Sequence, residues 1–227
     1  MLPSINKYAI TLLLVVSAIS ISKAQYHVKK TADFELNGDS SVNAWTSADW
    51  VQLPVTEGQD MRQTKVKTLY SNTGIYFLFY NEDKKITATK TQDFDKLWLE
   101  DVVEVFLWPD TTQTVYFEYE LSPLNHELPI LVPNLNGKFF GWLPWEYSGD
   151  RKTKHMTKVR ETAWTAEFFI PYKLLIPLSN VRPQKGTTWR ANYYRVDYDN
   201  SKSVDWSWKK TEKTFHEFRK FGTLIFD

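Results

Sequence analysis

Three glutamates in two neighbouring stretches are the residues from which chemistry can be read. Glu104 sits in the middle of Trp98-Leu99-Glu100-Asp101-Val102-Val103-Glu104-Val105-Phe106-Leu107-Trp108, and Glu118 and Glu120 sit in Val115–Leu121. Side chains of an extended chain alternate between two faces. Val103, Val105 and Leu107 then form a core face, with Val102, Glu104, Phe106 and Trp108 on the other. In the second stretch Tyr116, Glu118 and Glu120 alternate with Phe117, Tyr119 and Leu121. Pro109-Asp110 opens a short turn, so the two stretches pair antiparallel and bring three carboxylates onto one floor beside Phe106 and Tyr116. A carboxylate between apolar neighbours is costly unless it is hydrogen-bonded. Two partners are open: an internal guanidinium, Arg195 or Arg190, or the hydroxyl groups of a ligand lying across the sheet.

The elements that must hold this floor are short strands. Residues 65–70 and 75–80 flank Ser71-Asn72-Thr73-Gly74, a hairpin signature. Both faces of 75–80 are apolar, which marks an interior strand. Residues 164–170 alternate up to Pro171, which stops them. Residues 189–198 set Ala191, Tyr193, Arg195 and Asp197 against Arg190, Asn192, Tyr194 and Val196, and 221–226 close the chain. An entry segment at 31–38 turns at Asn37-Gly38-Asp39, with Trp45 and Trp50 as packing anchors. Few helical patterns remain, so the expected fold is all-β, an antiparallel β-sandwich with jelly-roll or immunoglobulin-like layers.

Residues 122–155 read as a long irregular loop carrying four prolines and Phe139-Phe140-Gly141-Trp142-Leu143-Pro144-Trp145. Its aromatics argue against disorder. It either folds over the floor as a lid or caps one end of the sandwich. Residues 206–220 read as a second loop, basic and aromatic. Residues 83–96 read as a solvated acidic loop. Asp93, Asp95, Glu100 and Asp101 offer hard oxygen ligands for calcium, although not at EF-hand spacing.

Composition narrows the classes. Lys7, the apolar run 9–21 and Ser22-Lys23-Ala24 form a secretory leader, so 1–24 is expected to be removed and 25–227 to be one exported domain, periplasmic or extracellular. The apolar run is short for a membrane span, and no membrane insertion is expected after cleavage. With no cysteine there are no disulfides and no thiolate metal ligands. Of 28 basic and 27 acidic residues, Lys7 and Lys23 belong to the leader, leaving 26 against 27. That balance argues against nucleic acid as a partner and against bulk attraction to charged polymers. Aromatics make up 16% of the chain, with ten Trp, more than a core of this size needs, which points to rings serving a surface or groove.

The strand Trp98-x-x-Asp101-x-Val103-Glu104 resembles the signature of family 9 carbohydrate-binding modules and of family-9-like domains of secreted bacterial proteins. Four further pieces agree in order: Phe34-x-Leu36-x-Gly38 with Trp45, Trp164-x-x-Glu167-x-x-Ile170-Pro171, Gly186-x-x-Trp189-Arg190-x-Asn192, and Phe221-Gly222-x-Leu224. The resemblance spans the chain after the leader. It implies a sandwich that stacks a sugar between two aromatic rings, fixes its hydroxyls with carboxylate, amide and Arg groups, and contains structural calcium, whose ligands the motifs do not place. By position Trp98 matches the first clamp residue and Glu104 the carboxylate behind it. The second clamp position, counted back from Lys220-Phe221-Gly222, falls on Phe215 where the family uses Trp. Trp206 or Trp208 could compensate for the smaller ring.

Physical chemistry agrees with that expectation. Rings bury the C–H faces of a pyranose, and carboxylates, Asn and Arg bind its hydroxyls. Glu104, Glu118, Glu120, Asn192 and Arg195 are residues of the right types on strands. The expected function is non-catalytic binding of an oligo- or polysaccharide, in the service of secreted glycan-degrading enzymes. Two rivals stand beside it. Strands lie about 4.8 Å apart, so Glu104 with Glu118 or Glu120 could reach the roughly 5–5.5 Å spacing of a retaining glycoside hydrolase. A haem-binding sandwich would need an axial pair from His27, His126, His155, His216, Met61 and Met156, and the adjacent His155 and Met156 point to opposite faces of a strand.

Overall fold

Alternating apolar residues drive the chain into strands whose inner faces can be buried only by stacking one sheet on another. The computed structural model describes residues 25–135, 138–145, 147–199 and 202–227, and the leader read at 1–24 lies outside them. In chain order the strands are β1 (Gln25–Lys30), β2 (Val51–Leu53), β3 (Val55–Glu57), β4 (Thr64–Tyr70) and β5 (Gly74–Glu82). Next come β6 (Val102–Trp108), β7 (Val115–Leu121), β8 (Glu127–Leu135), β9 (Lys138–Phe139) and β10 (Leu143–Pro144). The last are β11 (Lys154–Val159), β12 (Ala163–Pro171), β13 (Thr188–Asp197), β14 (Val204–Ser207) and β15 (Gly222–Phe226). Helix is confined, among the described residues, to short 3₁₀ turns.

The front sheet runs β10-β8-β7-β6-β13-β15, with β14 alongside β13. The back sheet runs β4-β5-β12-β11, with β2 on β4. Pairing is antiparallel except at β1, which lies parallel to β15 through Gln25–Val28 and then parallel to β4 at Lys29 and Lys30. One strand thus stitches the two layers together. The layers meet in a continuous core: Tyr119 packs on Phe168 with ring centres 4.8 Å apart, and Phe77 meets Tyr193 at 6.0 Å. Every residue of β6 is buried, and each fully buried large side chain there stabilises the sandwich by about 1.5–3 kcal/mol.

Two motif residues explain the local geometry. Glu167 on β12 accepts the backbone N–H groups of Asn37, Gly38 and Ser40 at 3.1, 3.2 and 2.8 Å, which pins the entry turn to the back sheet. Gly222 lies under the Trp208 ring, where a Cβ would come within 2.5 Å of it. A larger residue there would have to push the Trp208 ring aside.

The structure departs from the sequence reading at three places. The 98–108 stretch is extended only over β6, and Leu97–Leu99 forms a 3₁₀ turn. Asp101 holds that junction by accepting the N–H groups of Thr87 (2.6 Å) and Tyr198 (2.7 Å). Trp98 is thereby carried off the sheet onto its rim. Residues 122–155 are not all loop: they contain β8, β9, β10 and the start of β11, and β8 forms because Pro129 and Pro133 keep their N–H-less side away from β7. Their carbonyls accept from Trp145 and Phe140 on the outer flank, and a proline costs little there. Residues 204–207, at the head of the expected basic loop, form β14 between β13 and β3.

Candidate functional site

The three glutamates meet on the outer face of the front sheet. Glu104 lies opposite Glu120 on β7 and Tyr194 on β13, and Phe106 lies opposite Glu118 and Asn192. Ile130 of β8 lies beside Glu118. Cross-strand partners project from the same face, so the pleat assembles an acidic floor with Phe106 in its middle. A groove of about 490 Å³ opens above it, within the range of roughly 300–1,000 Å³ usual for small-molecule sites.

Aromatic rings wall the groove. Trp98 meets Trp142 edge-to-face at 5.4 Å. Phe139 stacks on His216 at 4.2 Å, and Phe215 stacks on Tyr194 at 4.1 Å with the planes 11° apart. Tyr198, Ser203, Asp205, Lys213 and Thr214 complete the rim. Asp205 pairs with Val196 across β13–β14 and so shares the outward face.

Among the described residues no guanidinium neutralises this floor. Arg190 donates to the carbonyls of Arg219, Phe221 and Gly222, and Arg195 lies between the layers. Glu118 and Glu120 are 4% and 1% exposed. Oε2 of Glu118, both oxygens of Glu120 and Oδ1 of Asp205 are buried without an aligned hydrogen-bond partner, although the Glu118 carboxyl and the Trp98 backbone lie close to Glu120. Burial pushes Glu118 up to about 8. Burial, then the charges of Glu118 and Asp205, raise Glu104 well above the usual carboxylate range. Burial, then the charges of Glu104 and Glu118, raise Glu120. The floor therefore retains protons at neutral pH. His216 shares a 2.6 Å hydrogen bond with the Tyr116 hydroxyl, and burial depresses it to about 4, so its imidazole is neutral.

Of the residues expected from sequence, the structure brings Trp98, Glu104, Glu118, Glu120 and Phe215 together around the groove. Asn192, Arg195, Trp206 and Trp208 do not line the groove, which corrects their assignment as ligand contacts. Arg195 pairs across β6 and β14 with Val103 and Trp206, one pleat step from Glu104, and so points between the layers. There it bonds Asp83 (2.9 Å) and Asp197 (2.5 Å) under the Trp206 ring. Trp206 is buried by the same parity. Trp208 stacks on Tyr193 in the interlayer core. Asn192 is on the outward face, but its amide is spent on the Tyr194 hydroxyl and both backbone groups of Lys209. Since the Tyr194 hydroxyl donates to the Phe215 carbonyl at 2.9 Å, Asn192 positions the Phe215 wall from behind.

Sequence reasoning missed His216, Tyr198, Asp205, Lys213 and Thr214 as lining residues. They come from loops and from a strand whose registry no local pattern reveals. The cluster at 139–145 carried a signal, and Phe139 and Trp142 do reach the groove. Trp145 instead donates to the Leu174 carbonyl and packs on the core.

The resemblance implies calcium, and the acids present do not fit it. Among the described residues one trio converges, Asp83, Asp197 and Asp199, with ligand oxygens within 4.8 Å of one another. Arg62 bonds all three, and Arg195 bonds the first two, so guanidinium charge already fills that cluster. Glu100 is likewise engaged by the backbone of Thr89 and Lys90, and Asp101 by Thr87 and Tyr198.

No family model matches the sequence, and no curated protein matches it. Solved structures do. A candidate carbohydrate-binding protein of Bacteroides uniformis superposes with a TM-score of 0.74 at 17% identity, covering 89% of this chain and 99% of that one. A family 9 carbohydrate-binding module of Caldicellulosiruptor kristjanssonii in complex with cellotriose gives 0.66 at 14% identity, over 89% and 93%. The module of that organism in complex with glucose gives 0.65 at 14%, over 89% and 95%. The chain has the fold of family 9 carbohydrate-binding modules.

Proposed function

We propose that this chain is a non-catalytic glycan-binding domain that holds a saccharide in the groove over Glu104, Glu118 and Glu120. The observation that carries the reading is the pairing of ring walls with buried carboxyl oxygens that lack an aligned hydrogen-bond donor. Rings cover the C–H faces of a pyranose, and the oxygens receive hydroxyl donors. The modules of like fold that are complexed with cellotriose and glucose support a saccharide as ligand. All three glutamates rise from one sheet face, so they would lie on one side of a bound sugar. A hydrolase places its two carboxyls on either side of the scissile bond, and this geometry favours binding over hydrolysis. The leader at 1–24 supports export to the periplasm or beyond, where the domain would serve glycan-degrading enzymes.

Calorimetry with a panel of oligosaccharides tests the reading. The wild type should bind at least one glycan, and Trp98→Ala should weaken it about tenfold or more with an unchanged melting temperature, since one buried ring contact is worth on the order of 1–2 kcal/mol. A folded wild type that binds nothing in the panel, or a Trp98→Ala variant that binds like wild type, would overturn it. Turnover of aryl glycosides that disappears in Glu104→Gln would establish the hydrolase instead.

A further inference from the structure

We infer that the groove takes a glycan bearing free amino groups, a glucosamine-type residue whose ammonium sits over Glu104, Glu118 and Glu120. The inference rests on the glycan-binding reading and goes beyond it by naming the ligand's charge.

The argument starts from what the groove offers. Its floor and inner wall present four carboxyl groups, those of Glu104, Glu118, Glu120 and Asp205. Four oxygens among them are buried without an aligned hydrogen-bond donor. Among the described lining residues there is no Arg, Asn or Gln, the side chains that usually balance a sugar site with donors. The donors present are committed or distant. One nitrogen of the His216 ring is held by the Tyr116 hydroxyl and lies 3.7 Å from Glu118 Oε2, the Ser203 hydroxyl is engaged with Asp205, the Tyr198 hydroxyl donates to the Trp98 carbonyl at 3.4 Å, and Lys213 and Thr214 are exposed at the rim. At neutral pH the retained protons let the carboxyls donate as well as accept, and the floor becomes acceptor-only when a bound cation draws those protons off.

A neutral sugar meets such a floor imperfectly. Each hydroxyl brings one donor and two lone pairs, and it leaves the clustered carboxyls protonated, with no charge across the contact. An ammonium brings three donors, no lone pair and a positive charge. It satisfies several orphan oxygens at once with charge-assisted bonds, which are about twice as strong as neutral ones. It also relieves the repulsion among clustered carboxyls, which otherwise hold their protons. The ring walls of Trp98, Trp142, Phe139 and Phe215 argue for an amine carried on a pyranose, because a linear polyamine has no flat face to stack. The same acceptor floor disfavours uronic acids and sulfated sugars, whose anions would meet carboxyls without a guanidinium between them.

Calorimetry at pH 7 with three trisaccharides decides the matter: the fully deacetylated glucosamine trimer, its tri-N-acetylated counterpart, and cellotriose. The deacetylated trimer should bind at least about tenfold tighter than cellotriose, the increment expected when a neutral hydrogen bond becomes charge-assisted. Glu120→Gln and Glu118→Gln, which keep side-chain shape and remove the charge, should bring the two ligands to within about threefold. Equal or weaker binding of the deacetylated trimer by the wild type would overturn the inference while leaving the glycan-binding reading in place. So would a preference that survives in both folded Gln variants, since it would then arise outside the floor. Binding of none of the three ligands overturns the amino-sugar inference, and only an empty wider panel would also sink the glycan-binding reading.

Discussion

Replacing Glu118 by Gln should make the unliganded protein more stable, increasingly so as the pH rises. Glu118 ordinarily titrates near 4.5, and burial raises it to about 8 in the folded chain. A carboxyl whose folded value lies above its unfolded value binds more protons when folded, so stability falls as pH climbs between the two. His216 acts in the opposite direction. Its value falls from 6.5 to about 4, which makes stability rise with pH across that interval. Between pH 6.5 and 8 the histidine contribution has ended and the glutamate contribution has not. Over that window Glu118 costs about 1.4 kcal/mol for each pH unit, or roughly 2 kcal/mol in all. For a domain of this size that is a melting-point difference of about 4–8 °C. Thermal unfolding of wild type and Glu118→Gln at pH 6.5 and pH 8 measures it directly. The gap should widen by about 2 kcal/mol towards pH 8, with Gln the more stable. Parallel curves, or a gap that narrows, would show that Glu118 is already ionised in the fold and that the proton-retaining floor is wrong. Glycan affinity should fall in the same variant, so one substitution separates a residue retained for binding from one retained for stability.

Two other substitutions probe the framework. Arg195→Met leaves Asp83 and Asp197 buried with only Arg62 for charge, and should cost about 3–5 kcal/mol in denaturant unfolding, without changing glycan affinity in conditions where the variant is folded. Gly222→Ala forces a methyl group against the Trp208 ring and should cost about 1–3 kcal/mol, with a matching change in near-ultraviolet circular dichroism.

What was legible in the sequence is what period and spacing encode. The two-residue alternation of 102–108 and 115–121 and the short turn between them fixed the shared face of Glu104, Glu118 and Glu120, because the pleat leaves no other option. The same logic marked β5 as an interior strand, and β5 does lie between β4 and β12. The motifs that resemble those of family 9 modules pointed to the sandwich, and the fold agrees. Glu167 and Gly222 within them turn out to hold a turn and a ring in place.

Only the tertiary structure decided which side chains share a groove. Asn192 and Arg195 look equivalent in a list of polar strand residues, yet three positions apart means opposite faces, and the partner layer turned Arg195 into part of an ion-pair cluster. Trp98 reached the rim because a 3₁₀ turn lifts it off the sheet, a consequence of Asp101 binding backbone groups 14 and 97 residues away. Prolines hid β8, since a missing donor is harmless only on a flank that the sequence cannot see. His216 and Asp205 entered the site through long-range pairing for the same reason: local patterns report the faces of one strand, and a binding site is made where several strands and loops converge.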